Sequence, residues 1–177
     1  MKRFLVGFLL IIPLYGFAQK GIQGVGANIG RSFGGRASGS DYVEYISLMY
    51  QYNLTDKLRI EPYFRHTNMG STIGSLEYIR INDAGGDLHF FINDLPLGET
   101  IHLTPYVVGG VAYGFYSATD DNKHRKYGDL FSVKIGAGIN YRITYRFLLQ
   151  AELHLDYYGK PYSRLFLEPE LNLVHIF

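Results

Sequence analysis

The chain has 177 residues, enough for one domain. Its 17 basic and 16 acidic residues leave a formal charge of +1, a balance that argues against a nucleic-acid partner. The absence of Cys excludes disulfides and a lipid-modified Cys anchor, while 16 Tyr, 12 Phe and 21 Gly with only 19% charged residues point to β-structure carrying aromatic belts.

The first residues stand apart from the rest. Met1-Lys2-Arg3 is basic, Phe4 to Phe17 is almost wholly apolar, and Gly16-Phe17-Ala18 precedes Gln19. That is the pattern of a secretory signal peptide, with cleavage expected after Ala18. The apolar run is roughly 14 residues against about 20 for a spanning helix, and Pro13 interrupts it. The expected organisation is a signal peptide over 1–18 and one domain over 19–177.

Alternation with period two then predicts eight strands. The first runs from Ile22 to Phe33, the second from Tyr42 to Leu54 and the third from Leu58 to Asn68. In the fourth, Ala84, Gly86, Leu88, Phe90 and Ile92 oppose Asp83, Gly85, Asp87 and His89. Tyr78 to Ile81 is out of phase with it, which predicts a bulge between Asn82 and Gly86. The fifth runs from Ile101 to Tyr116, the sixth from Leu130 to Ile143 and the seventh from Phe147 to Tyr158. The eighth ends at Phe177, with Leu165, Leu167, Pro169, Leu171 and Leu173 on one face and Glu168, Glu170 and Asn172 on the other. Pro62, Pro105 and Pro169 fall inside strands, where bulges or strand ends are expected.

Connections after strands two, four and six are read as short turns. Those after strands one, three, five and seven are read as polar loops over 34–41, 70–77, 117–127 and 159–164. Tyr52-Asn-Leu-Thr-Asp-Lys-Leu-Arg-Ile-Glu61 is echoed by Tyr141-Arg-Ile-Thr-Tyr-Arg-Phe-Leu-Leu-Gln150, so two of the turns share one design. Short turns opposite longer loops are the pattern of a membrane barrel with both termini on the periplasmic side.

Alternation alone does not say which face is inside. The apolar face nearly lacks charge, the strands are long enough to cross a bilayer at a tilt, and aromatics gather near strand ends on that face. All three favour an outward apolar face in lipid over a soluble barrel with an apolar interior. The lumen then receives Arg59, Glu61, Arg65, Asp87, Lys134, Arg142, Glu152, His154, Asp156, Glu168 and Glu170. Eight strands leave room for little more than side chains, so these charges are expected to pair as a structural plug. Gly24 and Gly26 are expected to face Glu170 and Asn172 across the closing seam.

Signal peptide, eight strands, the paired hairpins and the terminal Phe together resemble the bacterial outer-membrane β-barrel superfamily. That group includes small OmpX/OmpA-like barrels and PorT-like proteins. The resemblance implies an all-β, eight-stranded antiparallel up-and-down barrel in the outer membrane. It also implies that Leu171, Leu173 and Phe177 act as a C-terminal signal for the insertion machinery. Implied partners are outer-membrane lipid and lipopolysaccharide, and an envelope or extracellular protein reached through the four loops. Lys123, Arg125 and Lys126 are the candidates for lipopolysaccharide phosphates.

No catalytic, cofactor or metal constellation stands out. His66-Thr67-Asn68-Met69-Gly70-Ser71, with Glu77, faintly resembles the His-x-Ser-Asn-x-Gly stretch of lipid A 3-O-deacylases. There the nucleophile and its base must meet, whereas Thr67 directly follows His66 and points to the opposite face. The expectation is a non-enzymatic envelope barrel with a filled polar lumen. The alternatives are a narrow channel or ligand-binding barrel, and a lipid A-modifying enzyme.

Overall fold

The computed structural model describes residues 21, 23–33, 42–55, 57–73, 76–92, 95–96, 102–120, 125–144, 146–160 and 164–177. The expected signal peptide lies outside them. Eight long strands follow one another: β1 Gln23–Phe33, β2 Tyr42–Asn53, β3 Leu58–Ile73, β4 Leu76–Phe91, β5 His102–Asp120, β6 Arg125–Arg142, β7 Phe147–Tyr158 and β8 Arg164–Ile176. Each pairs antiparallel with its chain neighbours, and β8 returns to pair with β1. A two-residue strand, Leu95–Pro96, adds a short pairing beside Leu103 and His102.

The closure is staggered. Ladder partners followed from Gln23 through Tyr52, Ile60, Leu88, Gly109, Ile135, Leu155 and Leu167 lead back to β1 at Phe33. That offset of about ten residues, with ~3.3 Å rise and ~4.8 Å strand spacing, sets a strand tilt of roughly 40°. A closed, tilted barrel has no edge left to pair with another chain.

Outside, the wall is apolar. Ile135 is 68% exposed, Leu48 67%, Ile29 65% and Phe115 63%. Exposure on that scale at large apolar side chains all round a barrel is the reverse of a soluble fold. Inside, the centre is polar, and each end is closed by apolar side chains. Val43, Ile79, Ile81, Ala118, Leu130, Tyr158 and Phe166 pack at one end. Phe91, Tyr106 and Val108, together with Met49, Leu148 and Val174, pack towards the other.

The two echoing turns are alike in detail. Leu54 and Thr55 N–H both donate to the Leu58 carbonyl, and Ile143 and Thr144 N–H both donate to the Phe147 carbonyl. In each turn the Thr hydroxyl accepts a backbone N–H two residues on, from Lys57 in one and Arg146 in the other. The Thr caps the turn as a side-chain mimic of backbone.

Several expectations are corrected. No bulge occurs between Asn82 and Gly86, where both ladders of β4 run without a shift. Ile79 and Ile81 simply continue the inward face, as part of the apolar cap, while Arg80 and Asn82 point out. The register shifts lie at the hairpin, between Gly70 and Ile73 and between Leu76 and Tyr78. The supposed loops 70–77 and 117–127 are largely strand, with 74–75 and 121–124 outside the described residues. Conversely, β4 and β5 are joined across 92–101, the longest of the three supposed short turns.

The prolines interrupt ladders without changing register. Beside Pro62, the β2–β3 ladder passes from Met49–Tyr63 to Tyr52–Ile60. Beside Pro169, the β1–β8 ladder passes from Gly30–Glu170 to Phe33–Leu167. Each lacks the N–H that the missing rung needs. Pro105 stands where the β4 ladder ends, and its carbonyl accepts from Ile92 N–H. At Pro169 the gap leaves an outer notch of about 590 Å³, lined in part by Gly30, Arg31, Glu44, Tyr45 and Glu170. Finally, Glu170 faces Gly30 and Asn172 faces Asn28 across the seam. Gly24 and Gly26 face Ile176 and Val174 instead.

Candidate functional site

Inward-facing positions of all eight strands meet in the lumen. Of the predicted network residues, Arg59, Glu61, Arg65, Asp87, Lys134, Glu152, His154, Asp156, Glu168 and Glu170 are buried there. Arg142 is not. It stands opposite Leu148 in the last rung before the β6–β7 turn and is exposed, while Leu148 fills the buried position at that end.

Arg65 organises the half nearer the apolar cap. Its Nε and Nη2 donate to Asp83, the latter at 2.9 Å, and its Nη1 donates to Asp156 at 3.1 Å. Glu168 lies 3.7 Å from Nη1. The rings of Tyr45, Tyr63 and Tyr158 surround the guanidinium at 5.5, 5.6 and 5.7 Å. A fork of donors shared among carboxylates and rings is a role that Arg fills and Lys does not.

The chain of contacts continues downward. His154 lies 3.0 Å from Asp156 through Nδ1 and 3.0 Å from Glu170 through Nε2. Glu170 also accepts from Tyr45 at 3.0 Å and from Asn28 at 2.5 Å. Lys134 Nζ meets Asp87 at 2.5 Å and lies 5.1 Å above the Tyr63 ring. Gln51 donates to Glu61 at 2.6 Å and to Gln150 at 2.7 Å, and Gln150 donates onward to Asn140. Glu152 accepts from Tyr106 at 2.8 Å and from Asn172 at 3.2 Å. At the far end Arg59 donates to Asn53 and lies 4.5 Å over Phe91.

Little space is left. The gap among Asn28, Ser47, Glu61, Tyr63, Asp87 and Lys134 is too narrow for a water molecule. The arrangement links the strands across the lumen through buried hydrogen bonds and ion pairs.

Sequence reasoning missed Asp83 as a network member, together with the inward tyrosines. Asp83 shares the alternation of Asp87 and His89, but the apparent phase break in strand four hid it. The tyrosines carry a clearer signal. Tyr45 faces Gly30, Tyr63 faces Gly85, Tyr106 faces Gly138 and Tyr116 faces Gly128 across neighbouring strands. In each pair the ring lies where a Cβ on the glycine would stand, with the Tyr63 hydroxyl 2.5 Å from such an atom on Gly85. A glycine opposite an aromatic marks a ring folded across the strand.

The remaining candidates are dispersed. His66 lies on the outer face, its Nδ1 2.8 Å from Asn82, whereas Thr67 is buried inside. The side chains of Ser71, Glu77 and His102, and residues 121–124 of the charged loop, lie outside the described set. Leu171 and Leu173 are exposed on the apolar wall. Phe177 is also exposed, its N–H donates to the Gln23 carbonyl, and its ring stacks on His175 at 6.4 Å.

The barrel is similar to solved structures. Neisserial surface protein A superposes with a TM-score of 0.62 at 14% identity, covering 89% of this chain and 97% of the other. The N-terminal β-barrel domain of Pseudomonas aeruginosa OprF gives 0.61 at 18% identity, covering 89% and 100%. The fold is that of the small eight-stranded outer-membrane barrels. A major outer membrane protein from Thermus thermophilus gives 0.55 at 11% identity, covering 88% and 99%. At these identities the likeness is one of fold. The sequence matches no protein-family model, and it matches no curated protein.

Proposed function

We propose that the chain is an integral outer-membrane barrel whose lumen is a packed, salt-bridged plug. Its role is then to support the envelope and to present its ends to partners. The observation that carries this reading is an apolar outer wall wrapped around a buried charge network. Lipid satisfies the wall, and inside it Arg65, Lys134 and His154 each pair with buried carboxylates. The barrels it resembles in fold include surface and outer-membrane proteins by name.

In this reading residues 1–18 direct export and are removed, and Leu171, Leu173 and Phe177 contribute to recognition by the insertion machinery. The tight β2–β3 and β6–β7 turns face the periplasm. The hairpins β3–β4 and β5–β6 rise past the apolar wall on the outer side, carrying Asn68, Arg80, Arg125 and Asp129 outward. There they meet lipopolysaccharide and protein partners. The lumen takes no catalytic role.

The test is membrane integration. Expressed with its full N-terminus in a Gram-negative host, the chain should sediment with outer membranes and resist alkaline extraction. Recovery in the periplasm or medium would overturn the reading. Hydrolysis of lipid A or phospholipid by the refolded barrel would overturn the non-enzymatic role.

A further inference from the structure

The lumen is acidic. Among the described residues it buries seven carboxylates, on Glu61, Asp83, Asp87, Glu152, Asp156, Glu168 and Glu170, against the permanent cations Arg59, Arg65 and Lys134. The imbalance is met unevenly. Arg65 serves three carboxylates at one end, and Lys134 contacts one oxygen of Asp87.

Several buried polar atoms here lack a hydrogen-bond partner, among them Ser47 Oγ, Thr67 Oγ1 and both ring nitrogens of His89. His89 is fully buried, and neither of its ring nitrogens makes a hydrogen bond. Its ring is held in place, stacked on Tyr106 at 5.0 Å and tilted against Phe91 at 6.5 Å. Nε2 looks toward Glu61, 3.7 Å away. Asp87 Oδ1 is likewise buried and without a donor, and it faces the bare backbone of Gly110, where a Cβ would collide with it.

We propose that His89, Asp87 and Glu61 bind one divalent transition-metal ion in the half of the lumen nearer the β2–β3 turn. One ligand atom from each lies within 4.8 Å of the other two. Bonds of about 2.1 Å in tetrahedral geometry put ligand atoms roughly 3.4 Å apart, so side-chain movements of about an ångström close the site. An imidazole with two carboxylates suits zinc or manganese. Two other groupings, Glu152–His154–Glu170 and His154–Asp156–Glu168, have comparable spacing. Their histidine already spends both nitrogens on Asp156 and Glu170. His89 does not. The ion offsets the acid excess and supplies the contact that the buried ring lacks. Loading accompanies folding, because apolar side chains close both ends of the finished barrel.

The test refolds the full barrel in zinc, removes excess metal by dialysis and measures bound metal by elemental analysis. Wild type should retain about one zinc per chain, and His89→Gln should lose at least about tenfold in affinity. Equal retention by wild type and His89→Gln, or none by either, would overturn the site and leave His89 to an ordinary buried water. If His89→Gln does not fold, X-ray absorption of the zinc-loaded wild type decides. A single imidazole in a shell that is unchanged by His154→Gln supports the proposal, and an all-oxygen or two-imidazole shell contradicts it.

Discussion

Replacing Arg65 by Met tests whether the lumen is dry. Met keeps most of the side-chain length and removes the charge, so the cavity contribution stays small. Asp83 then loses both arms of its bidentate contact, Asp156 loses its 3.1 Å donor and Glu168 loses its neighbour at 3.7 Å. Removing one partner from a buried pair costs about 3–5 kcal/mol, because the opposite charge stays buried without compensation. Each 1.4 kcal/mol is about tenfold, so the folding constant should fall by roughly two to three and a half orders of magnitude. The chain has no Trp, so unfolding in denaturant is followed by far-UV circular dichroism of the refolded barrel in lipid vesicles. Combining Arg65→Met with Asp83→Asn, Asp156→Asn and Glu168→Gln removes the charges at similar volume and should restore about half of the loss or more. A single-variant loss below about 1 kcal/mol, the level of an exposed ion pair, would refute the reasoning. It would mean that water reaches Arg65 and that the lumen is not a plug.

Other expectations follow from the wall and its glycines. A Cβ on Gly136 would lie 2.7 Å from His154 Cα and 2.5 Å from the Leu153 carbonyl, contacts with backbone that cannot swing aside. Gly136→Ala should therefore destabilise by about 1–3 kcal/mol in the same unfolding assay. A methyl group added at Gly86 would meet nothing within 4 Å, so Gly86→Ala should leave the barrel folded and gain up to about 0.5–1 kcal/mol. Ile135→Arg puts a charge in the middle of the apolar wall and should cost about 2–4 kcal/mol in vesicles, against about 0–1 for Tyr127→Arg near the outer rim. Equal costs at the two positions would place the lipid boundary elsewhere.

Strand existence was legible because an apolar outer face and a charged inner face give the plainest alternation a barrel can show. Strands β2 and β7 match their expected spans almost residue for residue, and the shared Thr turns were visible as a repeat. The alternation failed where apolar side chains face inward. Ile79 and Ile81 belong to the cap at one end of the lumen, so their polarity gives the wrong face even though the backbone phase never breaks. Strand lengths on that side were underestimated for a related reason. Beyond the apolar belt the outer face turns polar, as at Asn68, Arg80 and Asp129, and the contrast that defines the pattern fades. Pairings between distant strands were out of reach, since the seam register depends on the stagger of the whole barrel. That is why Glu170 was expected opposite Gly24 or Gly26 and stands opposite Gly30. The meeting of Glu61, Asp87 and His89 depends on the β3–β4 register in the same way.

The central claim is a plugged barrel in a membrane, and ion conductance tests it most directly. Purified barrel reconstituted in planar bilayers should give no current steps above those of protein-free membranes. Reproducible steps of one size in the wild type, lost or altered on Lys134→Met, would contradict the plug and make the polar lumen a pore.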